Sequence, residues 1–185
     1  AVGIDPDAAL VAAAQSGKQD AFVELIRRHQ HRVYNLALRF LGDATLAEDV
    51  AQEVFLSLFR NIGTFRGGSR FTSWLYQIVL NQARTRMRYR QRRPDMTAES
   101  LDAAASSHAD DRPREFADPD PEGDPETRLS ARESADAIQA ALDELDEDHR
   151  AVLILRDIED LNYSEIAELL GVAEGTVKSR IHRAR

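Results

Sequence analysis

The sequence predicts an all-α protein made of two small helical domains joined by a flexible acidic linker. Apolar residues recur at three- and four-residue steps before residue 94 and again after residue 127, which is the spacing of one buried helix face. No segment shows the alternation of apolar and polar residues that is typical of strands. Between the two helical stretches, residues 95–126 carry 2 basic and 11 acidic side chains. The predicted boundaries are therefore 1–94, 95–126 and 127–185.

The first domain is expected to contain three or four helices. One ends at Gly42, because glycine readily adopts the left-handed conformation that terminates a helix. The next begins at Asp43 or Thr45 as its N-cap and continues to about residue 60. After a glycine-containing loop, another helix begins near Ser69 or Thr72. The apolar residues expected on its buried face are Phe71, Trp74, Leu75, Ile78 and Val79.

The linker is predicted from composition. Five prolines are found from Pro94 onward, and the segment 95–126 has few large apolar residues and no helical period. Ordering such a segment would cost more conformational entropy than burial could return. We therefore expect two rigid domains whose separation depends on what they bind.

The charge distribution favours a nucleic-acid partner, although the whole chain has a formal net charge of -8. Residues 54–94 carry 9 basic side chains and no acidic one. A polyanion would therefore meet a positive local field, while the acidic remainder would discourage indiscriminate binding.

Composition also excludes several classes of site. The chain has no cysteine, so disulfides, thiolate zinc sites and a cysteine nucleophile are excluded. No apolar run approaches the roughly 20 residues that cross a bilayer, and residues 1–14 lack the features of a signal peptide. We expect a cytoplasmic protein that makes no membrane contact of its own and uses no metal or other cofactor.

The most specific motif lies near the C-terminal end, where two short helical segments meet at Gly171. Ala167 is small where the helices would cross, and Val177 and Ile181 share a face that would pack back on the preceding helix. The pattern predicts a helix-turn-helix. Its second helix would expose donors suited to a major groove, namely Lys178, Ser179, His182 and Arg183. An ordinary helical hairpin with a solvated basic face is the alternative.

A second motif, 47–55, separates two helix faces. Its polar residues are Glu48, Asp49, Gln52 and Glu53, and its apolar residues are Ala47, Val50, Ala51 and Val54. From this segment alone, a solvated acidic face is the better interpretation. A metal or acid-base site receives little weight, because no histidine stands at ligand spacing.

A third motif, 65–76, is a glycine loop between aromatic residues that leads into a basic helix. No strand precedes it and no Lys-Ser or Lys-Thr pair follows, so it is not a phosphate-binding loop. Aromatic residues interleaved with arginine suit stacking on unpaired bases. A polar stripe continues along the helix through Gln77, Asn81, Arg84 and Arg88. The alternatives are that Phe71 and Trp74 belong to the core, that Asn81 caps or satisfies a buried backbone group, and that the arginines form a solvated face.

These three motifs, in this order and around an acidic linker, resemble the extracytoplasmic function (ECF) sigma factors of the sigma-70 family. The resemblance covers nearly the whole chain except the linker. It implies that domain 1–94 is region 2, which binds the beta-prime clamp helices of RNA polymerase core and melts the -10 element. Domain 127–185 would be region 4, which reads the -35 element and touches the beta flap. It also implies control by an anti-sigma factor.

The resemblance assigns roles to residues of this chain. Core binding would use Glu48, Asp49, Gln52 and Glu53. The -10 DNA would contact Phe65, Arg66, Ser69, Arg70, Phe71, Trp74, Gln77, Asn81, Arg84 and Arg88. The -35 DNA would contact Thr176, Lys178, Ser179, Arg180, His182 and Arg183. The loop from Phe65 to Phe71 would receive one unstacked base, and Asn81 would offer a donor and an acceptor to the edge of that base. The adjacent phosphates would be held by Arg84, Arg86 and Arg88.

Two departures from the family pattern are visible. The family's recognition helix usually continues beyond the arginine pair, so we expect a truncated chain at Arg185. Gly68 stands where an acidic residue is common, and Arg70 is more basic than in many relatives.

The expected function is promoter-specific transcription initiation without enzymatic activity. A conventional helix-turn-helix regulator of duplex operators is the rival, but it has no use for an aromatic, basic loop suited to single strands. A hydrolase would need an acid-base constellation that the sequence lacks.

Overall fold

A computed structural model describes residues 5–92 and 125–185, with side chains described for 5–90, 92 and 133–185. The described residues form helices and connecting turns, with no strand among them. The first range contains α1 (Ala8–Gln15), α2 (Gln19–Leu41), α3 (Ala44–Asn61), a 3-10 turn (Ile62–Thr64) and α4 (Phe71–Arg92). The second contains α5 (Pro125–Asp143), α6 (Glu147–Leu153), a π-helical turn (Ile154–Ile158), α7 (Tyr163–Leu170) and α8 (Glu174–Ala184). The all-α prediction is confirmed.

The helix ends of the first domain follow from local chemistry. Gly42 has φ 69° and is the left-handed residue that ends α2. Asp43 then caps α3, because its carboxylate accepts a hydrogen bond of 3.0 Å from the backbone N–H of Leu46. Both boundaries agree with the sequence prediction.

The core of the first domain lies between α2, α3 and α4, with α1 packed across α2. On α4, Phe71, Leu75 and Val79 are buried as predicted, whereas Trp74 and Ile78 are only half-buried. Three further residues of this helix are buried although their spacing did not predict it, namely Tyr76, Leu80 and Ala83. These residues are buried because α4 contacts α2 and α3 and also α7 of the second domain.

The second domain contains the predicted helix-turn-helix. Asn162 and Glu165 form a reciprocal capping box that begins α7. Gly171 ends that helix with φ 66°, and α8 follows three residues later. Val177 and Ile181 of α8 are buried beside Ile166 and Leu169, which gives the motif its own packed face.

The two domains pack against each other in this structure. The guanidinium group of Arg150 is nearly buried and donates to the carbonyl oxygen of Phe40 at 2.7 Å. It also donates to Asp143 and Leu145 at 3.1 Å each, so one side chain caps the C-terminal ends of α2 and α5. A Cβ atom on Gly42 would lie 2.8 Å from a carboxylate oxygen of Asp143. A larger residue at position 42 would make the Asp143 side chain move, and the left-handed backbone conformation of Gly42 itself favours glycine.

The predicted linker, 95–126, lies outside the described residues except for its last two. Those two residues belong to the first turn of α5, which begins at Pro125. The second helical stretch thus starts two residues before the predicted boundary.

Candidate nucleic-acid interface

The polar face of α3 carries the four residues predicted to bind polymerase. Gln52 and Glu53 are exposed and Glu48 and Asp49 are half-buried, while Ala47, Val50, Ala51 and Val54 on the other face are buried. Arg86 of α4 reaches this face, donates to Asp49, and lies 3.9 Å from a carboxylate oxygen of Glu53. The face is therefore a mixed ion-pair surface. Arg86, which was expected to hold phosphates together with Arg84 and Arg88, lies on this face instead.

Three exposed apolar side chains accompany this acidic face. Val23, Leu56 and Phe59 are each more than half exposed, and Phe59 meets Phe22 edge to face at 5.2 Å. None of the three belongs to the set of functional residues predicted from the sequence. Leu56 and Phe59 could have been identified from the C-terminal half of α3, where apolar residues occur on more faces of the helix than one buried stripe requires.

The loop between the 3-10 turn and α4 rests on an aromatic cluster. Phe65 lies 5.9 Å from Phe71 and 5.1 Å from Trp74, measured between ring centroids. Phe71 is fully buried and also contacts His29, so it is a core residue here and its ring is closed to DNA. Phe65 and Trp74 are half-buried, which leaves part of each ring accessible.

The residues between Phe65 and Phe71 are open to solvent. Arg66 and Arg70 are exposed, Ser69 is half-buried, and Gly67 adopts φ 71° with no atom near its missing Cβ. Arg70 lies 3.9 Å from Glu165 of α7, a contact that joins the loop to the second domain.

The polar stripe of α4 has two parts. Gln77, Asn81 and Arg88 are exposed, and within the described residues the Asn81 side chain has no hydrogen-bond partner. The alternative that Asn81 satisfies a buried backbone group is therefore not what this structure shows. Arg84 is different, because its side chain is 20% exposed and its Nε lies 2.6 Å from a carboxylate oxygen of Glu147.

The exposed face of α8 carries the predicted -35 residues. Lys178, Ser179, His182 and Arg183 are all exposed. Two of them make contacts within their own helix, since Lys178 pairs with Glu174 at 3.2 Å and Ser179 donates to the carbonyl of Thr176 at 2.9 Å. These contacts lie on the helix surface, where a nucleic-acid partner can replace them.

Asp148, in the first turn of α6, connects the two candidate DNA surfaces. One of its oxygens lies 2.5 Å from the guanidinium of Arg180, and the other lies 3.5 Å from that of Arg84. Arg180 belongs to the predicted -35 set and Arg84 to the predicted -10 set. With the two domains packed together, which we call the closed arrangement, a single carboxylate thus lies beside both arginines.

Two polar pairs, Tyr76 with Glu159 and Asp7 with His29, each contain a group whose pKa is shifted. Burial raises the pKa of Glu159, although its hydrogen bond from Tyr76 favours the charged form. Burial also lowers the pKa of His29 below 6.5, against the opposing effect of the Asp7 carboxylate 2.8 Å away. Both pairs stabilise contacts between elements, the first across the domain boundary and the second within the first domain.

In the ranges 5–92 and 125–185, no group of three His, Asp or Glu side chains is placed to hold a metal ion. None of the described helices is long and apolar enough to cross a membrane.

Comparisons with known proteins agree with this geometry. Residues 25–93 match Sigma-70 region 2, and residues 135–185 match Sigma-70, region 4. The chain is 38% identical over 185 residues to the RNA polymerase sigma-H factor of Pseudomonas aeruginosa, covering 98% of this chain and 91% of that protein. It is 34% identical to the ECF RNA polymerase sigma-E factor of Escherichia coli, covering 97% and 90%. The chain belongs to the ECF sigma factors. This sigma factor is accordingly a non-enzymatic factor for promoter-specific transcription initiation.

Solved structures share its fold. The complex of CnrH with the cytosolic domain of CnrY aligns with a TM-score of 0.68 and 27% identity, over 97% of this chain and 92% of that one. A sigma factor RpoE in complex with the anti-sigma factor NepR, from Bartonella quintana, aligns with a TM-score of 0.61 and 24% identity, over 89% and 91%. The second likeness concerns the fold alone.

Proposed function

We propose that this sigma factor divides its work among three surfaces. The polar face of α3 binds the beta-prime clamp helices of RNA polymerase core. The loop 65–71 and the stripe of α4 hold the melted -10 strand, and α8 reads the -35 duplex while its domain touches the beta flap. The observation that carries the proposal is the unpartnered Asn81 on an acid-free basic helix beside an open aromatic loop.

The -10 assignment is supported by the chemistry of the loop and the stripe. An unstacked base can lie against the accessible part of Phe65 or Trp74, and stacking contributes roughly 1 to 3 kcal/mol per base. The side-chain amide of Asn81 offers both a donor and an acceptor to a base edge. Exposed Arg66 and Arg88 supply charge for the adjacent phosphates.

The -35 assignment rests on the helix-turn-helix and on the exposed side chains of its second helix. His182 and Arg183 are exposed without a side-chain partner within the described residues. A helix of this kind places such side chains in the major groove, where arginine recognises guanine with two hydrogen bonds. Thr176 and Arg180, which are half-buried, are better placed for the sugar-phosphate backbone.

Promoter binding requires the two domains to separate. Arg84 pairs with Glu147 and Asp148 across the domain boundary, so phosphate can reach it only when those carboxylates move away. The proposed division into 1–94 and 127–185, with 95–126 as a flexible linker, allows that movement. The closed arrangement is then the unbound form, and DNA and polymerase bind the open one.

We also propose that an anti-sigma factor controls this protein in the cytoplasm. The support comes from the structural relative at 27% identity, in which CnrH is in complex with the cytosolic domain of another protein, CnrY. The exposed apolar residues beside the acidic face of α3 offer additional surface for a protein partner.

The experiment that tests this function is reconstituted transcription. RNA polymerase core alone and core with this chain are incubated with a library of promoter fragments, and transcript start sites are sequenced. We expect chain-dependent starts that share elements near -35 and -10. Binding to core without any promoter-specific start would contradict the proposal, and so would tight binding to a duplex operator without core.

A further inference from the structure

The N-terminal residues of this chain hold both ends of the loop that lies before α4. Gln15, the last residue of α1, donates through its amide nitrogen to two backbone carbonyls, those of Ile62 at 2.9 Å and Phe65 at 2.8 Å. These carbonyls belong to the first residue of the 3-10 turn and to the first residue of the loop. One side chain therefore fixes where the chain leaves the 3-10 turn.

The other end of the loop is held by Asp5. Its carboxylate accepts a hydrogen bond of 2.6 Å from the backbone N–H of Phe71, the first residue of α4. An N–H in the first turn of a helix has no partner within the helix, so this carboxylate acts as a cap supplied from 66 residues away in the sequence. The same carboxylate accepts from the N–H of Asp7 at 3.0 Å.

Asp5 is itself anchored through Asp7. The Asp7 side chain is buried, lies 2.7 Å from a guanidinium nitrogen of Arg28, and shares a hydrogen bond of 2.8 Å with His29. The ring of His29 packs edge to face on Phe71 at 5.4 Å. The N-terminal segment, α2 and the start of α4 are thus joined by polar contacts in a buried site.

Between Phe65, which packs on Phe71 and Trp74, and Phe71 itself, the loop has little support beyond the 3.9 Å approach of Arg70 to Glu165. Arg66, Gly67, Gly68 and Arg70 are exposed, and no atom lies within 4 Å of a Cβ built on either glycine. The conformation of such a segment depends on the separation and direction of its ends, because little else restrains it. A loop that receives a base needs a defined shape before the base arrives.

We infer that Gln15 and Asp5 are positioning residues for the base-binding loop, acting from a segment that touches no DNA itself. This inference rests on the proposed function of the loop 65–71. It adds that the affinity for an unstacked base depends on α1 and on residues 5–7, outside the motif that carries the aromatic and basic side chains.

The probe for the test is a single-stranded oligonucleotide that the wild-type chain enriches from a randomised library. A series of copies, each with one abasic position, locates the base that contributes most to binding. Affinities of the variants are then measured by fluorescence anisotropy on the intact strand and on the copy lacking that base.

Gln15→Ala is expected to weaken binding to the intact strand by about three- to tenfold. This range corresponds to the net free energy that a typical hydrogen bond contributes. On the abasic strand the variant and the wild type should bind equally, because only the base requires the shaped loop. Gln15→Lys retains a donor toward both carbonyls and should restore most of the affinity. Asp5→Ala should behave like Gln15→Ala.

Gln19→Ala is the matched control, since Gln19 is an exposed glutamine of the adjacent helix without a side-chain hydrogen bond in the described structure. It should bind both strands like the wild type. Equal binding of Gln15→Ala and wild type to the intact strand would overturn the inference, as would an equal loss on both strands. If the wild-type chain enriches no strand, or if Asn81→Ala binds the enriched strand normally, the proposed function of the loop fails first and the inference with it.

Discussion

Glu147 and Asp148 hold the closed arrangement through Arg84, and removing their charge should open it. The change is the double substitution Glu147→Gln with Asp148→Asn, which keeps the size and shape of both side chains. Arg84 lies 2.6 Å from one carboxylate and 3.5 Å from the other. The arginine side chain is 20% exposed and the carboxylates are 35% and 48% exposed, so solvent screens both pairs.

The size of the effect follows from this exposure. Partly exposed ion pairs contribute about 0.2 to 1 kcal/mol each, so losing two pairs across the boundary weakens the closed form by about 0.4 to 2 kcal/mol. That energy corresponds to about a two- to thirtyfold shift toward the open form, since roughly 1.4 kcal/mol is a factor of ten. Loss of the third pair, between Asp148 and Arg180, frees a residue of the proposed -35 set, but this pair lies within one domain.

Energy transfer between two dyes measures the opening directly. The chain has no cysteine, so Asn35→Cys and Glu168→Cys, at exposed positions on different domains, give clean labelling sites. We expect lower transfer efficiency for the double variant at low salt and a smaller difference at high salt, because salt screens these charges. Affinity for promoter DNA should rise in parallel, by no more than the shift in the open fraction.

Asp136→Asn with Glu144→Gln is the control. It removes the same charge from two exposed side chains of the second domain that contact neither arginine. Glu147 and Asp148 also lie in the first turn of α6, where negative charge stabilises the helix by about 0.3 to 1 kcal/mol per charge. We therefore expect the thermal midpoint of the double variant to fall slightly. Transfer efficiency equal to that of the wild type at low salt would refute the reasoning, and so would the same opening in the control.

Four further outcomes are expected. Asn81→Ala should slow open-complex formation and weaken single-strand binding while the thermal midpoint and core binding stay nearly unchanged; a destabilised variant that binds DNA normally would remove Asn81 from the site. Charge reversal at Asp49 and Glu53 should weaken core association in a salt-dependent way, measured by fluorescence polarisation, without a change in helical content by circular dichroism. Arg183→Ala should cost about 1 to 3 kcal/mol at particular promoter positions, whereas an even loss across all sequences would identify a phosphate contact. Because burial lowers the pKa of His29, the unfolded chain binds that proton more readily. The free energy of unfolding should therefore fall as the pH drops below 6.5, and His29→Gln should flatten that part of the stability profile.

Local signals in the sequence account for much of the fold. The end of α2 at Gly42, the cap of α3 at Asp43 and the turn at Gly171 each depend on residues within four positions of one another. Sequence spacing describes such interactions directly. The first helix, α1, was not predicted, because its alanine-rich run buries only Val11 and shows no amphipathic period.

The candidate site was predictable only in part, because sequence spacing describes contacts between residues that are near one another in the chain. The polar faces of α3 and α8 and the stripe of α4 follow from helical geometry, and most of their side chains are exposed, whereas Arg84 of the stripe is only 20% exposed. Sequence spacing does not show which side chains of a neighbouring helix contact such a face. Arg86 was expected beside the phosphates but pairs with Asp49, and Phe71 was included among DNA contacts but fills the core.

The sequence by itself determined that this protein is helical, that its charge is segregated, and that its C-terminal domain ends in a helix-turn-helix. Those features arise from periodicity and capping, which act over a few residues. Only the tertiary structure decided that Asp5 caps α4, that Arg150 joins α2 to α5, and that Asp148 lies beside both Arg84 and Arg180. Such contacts join residues far apart in the chain, and they depend on the angles and distances at which packed helices meet.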